Sequence, residues 1–127
     1  MRRAYLGTAL GMLLLAGCKH QPPKPTPDAI RPTVTRAILH LKRPFDIDAH
    51  GDVVIPRQAI THRSGMPGVF VLSVHGRARF RLIKVGTVTA GRAEILSGLS
   101  GDEILVLPPF RGIYNGSPVQ TSGQPQK

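Results

Sequence analysis

From residue 33 onward, apolar and polar positions alternate in short bursts, and no segment keeps a helical period over three turns. Six bursts read as strands: TVTRAILHLK (33–42), DVVIP (52–56), VFVLSV (69–74), RARFRLIKVGTV (77–88), AEIL (93–96) and EILVL (103–107). Pro56 stops the second. HRSGMPG (62–68) reads as a loop, and His75-Gly76 as a tight turn joining VFVLSV to its partner strand. PPFRGIYNGSP (108–118) is rich in turn residues, and PVQT after it closes the sheet. The pattern predicts an all-β unit over 33–121, a small and mostly antiparallel barrel or sandwich. A polar tail over 122–127 is expected to be disordered.

The first twenty residues, MRRAYLGTALGMLLLAGCKH, break this rhythm. Arg2 and Arg3 precede an apolar run, Ala4 to Leu15, too short for a hydrocarbon layer of roughly 30 Å. The run ends in Leu15-Ala16-Gly17-Cys18, which resembles the lipobox of bacterial lipoproteins. That resemblance implies a signal peptide over 1–17, cleavage before Cys18, and acylation of its thiol. Residues 18–32 then form a lipidated tether. Pro22, Pro23, Pro25, Pro27 and Pro32 favour extended polyproline II, which at about 3.1 Å per residue would hold the domain up to roughly 40 Å from the lipid.

Composition fits one small domain. The chain has 127 residues and is 41% apolar, but aromatics make up only 5% and Trp is absent, so the core must rest on Val, Ile and Leu. Cys18 is the single cysteine, which rules out an intramolecular disulfide. The formal charge of +10 would ordinarily suggest nucleic acid. Removal of Arg2 and Arg3 with the signal leaves +8, and export takes the domain to the cell envelope. There, anionic head groups or an acidic partner supply the counter-charge, and nucleic acid is not expected.

Three stretches invite chemistry. Gly98-Leu99-Ser100-Gly101-Asp102 lacks the Gly-x-Ser-x-Gly spacing of a nucleophile elbow, a strand follows it, and no His lies beyond His75. It reads as a bend: Gly98 and Gly101 at positive φ, Asp102 bonded to the turn backbone, Leu99 plugging the sheet end. DIDAHGD (46–52) begins like a calcium loop, but the twelfth position is Arg57 where a bidentate Glu is required, so a solvated turn is expected. The histidines at 20, 40, 50, 62 and 75 have no ligand spacing, and no metal, cofactor or catalytic residue is expected. RARFRL is the remaining candidate. Alternation places Arg77, Arg79 and Arg81 on one side and Ala78, Phe80 and Leu82 toward the core, with a bulge or twist near Leu82 because Ile83 and Val85 break the parity. Three guanidinium groups in a row could hold lipid phosphates or a partner's carboxylates. The competing reading is a charged outer face that blunts an edge.

The order of pieces resembles the C-terminal part of periplasmic adaptor (membrane fusion) proteins of RND-type tripartite efflux pumps. The pieces are Ile55-Pro56-Arg57-Gln58-Ala59-Ile60, the strand from Gly65 to Val71, the Arg-bearing strand from Arg81 to Gly86, Glu94 to Asp102, and the Asn115 to Val119 ending. Two spacings are shortened by comparison, at Val85-Gly86 and between Leu99 and Gly101. PTVTRAILHLKRPFDIDAHG is similar to the segment with which that family enters the same domain from the other end of the chain. Members insert a β-barrel, a lipoyl-like domain and a helical hairpin between the two parts; here nothing separates them. The resemblance implies a lipid-anchored, non-enzymatic domain like the family's membrane-proximal one, without its arm, docked on an inner-membrane transporter subunit. A homo-oligomer stays open. So does a free-standing envelope lipoprotein that binds anionic lipid or polymer. Lys19 after the cysteine points to the outer membrane and the adaptor resemblance to the inner one.

Overall fold

The structure, a computed structural model, describes residues 31–43 and 46–122. The expected signal peptide, Cys18, nearly all of the tether and all of the tail beyond Ser122 lie outside the described residues. The rest is all-β, with ten strands: β1 (Val34–Arg36), β2 (Ile38–His40), β3 (Val53–Pro56), β4 (Thr61–Arg63), β5 (Met66–Leu72), β6 (Ala78–Leu82), β7 (Lys84–Thr89), β8 (Arg92–Ser97), β9 (Ile104–Val106) and β10 (Val119–Thr121). A single 3-10 turn, Arg57–Ala59, links β3 to β4. The strands form several sheets, antiparallel but for one pair, and no closed barrel forms among the described residues.

The central sheet runs β2-β9-β5-β4, with β6 on the other edge of β5. A second sheet, β3-β8-β7, packs against it. Val53, Ile55, Ala93 and Ile95 from the second sheet meet Val69, Val71 and Leu105 from the first. The opposite face of the central sheet carries Phe70, Ala78 and Val106 and is covered by Ile113 and Val119. Val69, Phe70 and Val71 are therefore all buried, alternately in one core and the other. This explains why β5 reads as an unbroken apolar run: a strand buried on both faces has no polar side to show.

The two ends of the described chain meet. β1 pairs in parallel with β10, and Ser122 N–H extends that pairing to Arg36 O (3.0 Å). β2 pairs antiparallel with β9, continued by Leu107 N–H to Ala37 O and Leu41 N–H to Glu103 O, both 2.9 Å. Between β2 and β3 the backbone returns through a turn held by Asp46, which accepts Lys42 N–H (2.8 Å), and Asp48, which accepts His50 N–H (2.8 Å) and Asp52 N–H (2.9 Å). A solvated turn is what the sequence predicts there.

Several expectations need correction. Residues 62–68 are not a loop but a hairpin, β4 to β5, closed by Ser64-Gly65 with φ of 51° and 77°. Positive φ at both central residues is what a two-residue type I′ turn requires. Residues 77–88 are not one strand: β6 ends at Leu82, and β7 starts in the other sheet. The break falls where the parity fails. Ile83 drops into the core at 7% exposure and donates its N–H to Pro67 O, while Leu82, expected inward, is 50% exposed. His75-Gly76 belongs to a longer connection, in which Ser73 N–H donates to Arg77 O and Gly76 N–H to Ser73 O.

Candidate functional site

The arginine stripe lies on an edge strand. β6 pairs with β5 along one side only. Its other side is covered over the first half by the segment before β10: Ala78 N–H donates to Ser117 O, Gly116 N–H to Ala78 O, and Phe80 N–H to Asn115 Oδ1. The edge is thus blunted chiefly by hydrogen bonds, not by charge. The alternation holds from Ala78 to Arg81 and fails at Leu82: Ala78 and Phe80 pack in the second core, and Arg79 and Arg81 occupy the other face and are exposed.

The three arginines nevertheless do different things. Arg77 precedes the strand and donates through Nη1 to Gly116 O (2.9 Å). Arg81 binds Glu103 Oε1 (2.9 Å) and reaches Gly98 O (3.4 Å), pinning the 98–102 bend whose Leu99 packs against the first core. Only Arg79 of the three has no partner among the described residues. The stripe supplies one guanidinium without a partner among the described residues where the spacing promised three.

The same economy runs through the molecule. Arg36 donates to Pro109 O and Arg111 O, Arg43 to Ser100 O, Arg63 to Ile113 O, and Arg92 to Val54 O. Arg63 also lies over the rings of Phe70 (5.3 Å) and Tyr114 (5.6 Å). A chain with few aromatics and many turns has carbonyls that no strand satisfies, and arginine forks reach them.

The 98–102 bend turns at its two glycines. Gly98 and Gly101 have φ of 105° and 92°, as expected. The backbone is not held by Asp102, however. Glu103 accepts the N–H groups of Ser100 (2.7 Å), Gly101 (2.8 Å) and Asp102 (3.3 Å). Burial opposes ionisation of this carboxyl, but the Ser100 and Gly101 N–H groups and the Arg81 guanidinium outweigh it and hold it below the usual carboxylate range.

Clefts with functional side chains open beside the second sheet. One, of about 410 Å³, is lined by Arg57, Ile60, His62, Pro67, Val85 and Val88. Another, of about 400 Å³, contains Asp48, His50 and Glu94, whose ligand atoms lie within 4.8 Å of one another. Among the described residues this trio comes closest to a cation's needs, and sequence spacing missed it because Glu94 arrives from β8. Glu94 accepts Thr87 N–H (3.0 Å) and fills the space over Gly86, where a Cβ would sit 2.6 Å from its Oε2. The Asp52 N–H holds the Asp48 carboxyl below its usual range against partial burial, helped by the His50 N–H and ring. Both carboxylates already serve the backbone, and His50 is 82% exposed. Comparison with models of known protein families and with curated proteins returned no match.

Proposed function

We propose that the chain is a lipid-anchored, non-enzymatic module of the bacterial envelope, attached through Cys18 and docked on an inner-membrane transporter subunit. The observation that carries this reading is the meeting of the two ends of the described residues. β1 and β2 pair with β10 and β9, and a short hydrogen-bonded turn closes the interval between β2 and β3. That turn stands where adaptors, as the sequence resemblance has it, insert their arm, and the domain needs no arm to complete its sheets. The partner-facing charge in this reading is Arg79, since Arg77 and Arg81 are engaged within the domain.

The test is affinity capture of the lipidated protein after cross-linking in membranes. A transporter subunit is recovered with the native chain and at least several-fold less with Arg79→Glu. Recovery of no transporter subunit overturns the reading; equal recovery with Arg79→Glu removes Arg79 from it.

A second reading, a free-standing lipoprotein on anionic lipid or polymer, is favoured by exposed cations whose side chains have no partner among the described residues: Lys42, Arg57, Arg79, Lys84 and Arg111. Salt-sensitive binding of the unlipidated chain to anionic vesicles, with no protein partner, selects it.

A further inference from the structure

We infer that the cleft between the 3-10 turn, β4 and β7 is a binding site for a single-chain carboxylate amphiphile, of the fatty-acid class. The inference goes beyond both functional readings and rests on neither. Its floor is apolar: Ile60 and Pro67 from one side, Val85 and Val88 from the other. Val88 is 45% exposed, although β7 elsewhere sends Val85 into packing against the core. Two register shifts in the β7–β8 pairing, at Lys84/Val85 and between Val85 and Val88, allow both valines to reach the same cleft despite their odd spacing.

Two basic side chains, Arg57 and His62, complete the lining. Neither makes a hydrogen bond or ion pair through its side chain among the described residues. Arg57, like Arg79 and Arg111, thereby departs from the habit of Arg36, Arg43, Arg63, Arg77, Arg81 and Arg92, which all donate to backbone carbonyls. Its backbone N–H is already bonded to Gly91 O (2.8 Å), so the turn that carries it is held without the guanidinium. No carboxylate lines the cleft to neutralise the guanidinium.

An apolar floor with a few polar groups at one side is the usual form of a small-ligand cleft, and about 410 Å³ lies in the lower part of the usual range. The chemistry that complements it has one apolar chain and one anionic head. A guanidinium fork presents two parallel N–H donors to a carboxylate, and the imidazole adds a third. A cationic amphiphile would meet the same floor and be repelled by the same arginine, which makes the inference a statement about charge as well as greasiness.

The experiment titrates dodecanoate, below its micellar concentration, into the full chain carrying Cys18→Ser, by calorimetry and by amide NMR shifts. The expected result is saturable binding of one dodecanoate, with shifts centred on residues 57–62 and 85–88. Arg57→Glu and, separately, Val88→Asp each weaken it at least tenfold. Lys42→Glu, which makes the same change of net charge away from the cleft, alters it less than twofold. Dodecyltrimethylammonium binds at least tenfold more weakly than dodecanoate. Both cleft variants change exposed side chains, and the NMR spectrum reports whether the fold is kept. If Val88→Asp unfolds the chain, Arg57→Glu alone decides. Equal binding of the cationic amphiphile, an unchanged affinity in Arg57→Glu, an equal loss in Lys42→Glu, or binding to anionic vesicles but not to monomeric dodecanoate would each overturn the inference.

Discussion

Glu103 and Arg81 show how a residue's neighbours decide its role. Glu103 presents one carboxylate to three backbone N–H groups and one guanidinium, and its side chain is only 8% exposed. Glu103→Gln is expected to cost about 1–3 kcal/mol, the range for charged hydrogen bonds lost in a partly buried place. The loss should depend on pH. The folded carboxyl titrates below its unfolded value, so its stabilisation is fully present above the ordinary carboxylate range and disappears as pH falls through the folded value. Urea midpoints of the native chain and the variant therefore separate at neutral pH and converge in acid. Sequence alone pointed at Asp102, because Asp is the usual side chain to close on a turn backbone. Its neighbour has one more methylene and sits just before β9, and that reach puts the carboxylate under the bend. The stripe misled for a related reason. Alternation correctly assigns Arg79 and Arg81 to one face, but a face says nothing about which carbonyl or carboxylate waits beside it.

At the scale of elements, the strands were legible where apolar runs were long and hidden where turns were tight. VFVLSV and AEIL stand out because both serve the core. The β4–β5 hairpin was concealed by Ser64-Gly65 and Pro67, which read as loop residues although Ser-Gly is also a two-residue turn. Ala90-Gly91 makes the equivalent turn between β7 and β8, with φ of 50° and 74°. An alanine in that left-handed region is strained, and asparagine tolerates it better. Ala90→Asn should raise stability by about 0.5–1 kcal/mol, seen as a higher urea midpoint with an unchanged slope. The split of residues 77–88 between two sheets was signalled by Ile83 breaking the alternation. The destination of the second half was not, because strand pairing is set by packing partners far along the chain.

For the molecule as a whole, the β1–β10 and β2–β9 pairings make the described residues one unit. A polypeptide of residues 31–122 is expected to unfold in a single cooperative step, with far-UV and near-UV circular dichroism coincident. Ending it at residue 117 removes β10, deprives β1 of its pairing, and uncovers Phe70 and Ala78, where Val119 helps to bury them. That shortened chain should lose the coincidence of the two signals and become sensitive to protease at residues 33–36.

The reach of arginines for carbonyls has a wider consequence. A guanidinium clasped to the backbone keeps its charge but is held in place, so fewer of the cations behind the formal +10 are free to move onto a partner. Titrated against ionic strength on any polyanion, its adhesion should fall off gently, counting only such arms as Arg57, Arg79 and Lys84. A basic isoelectric point here records how the loops are sewn together as much as what the surface attracts.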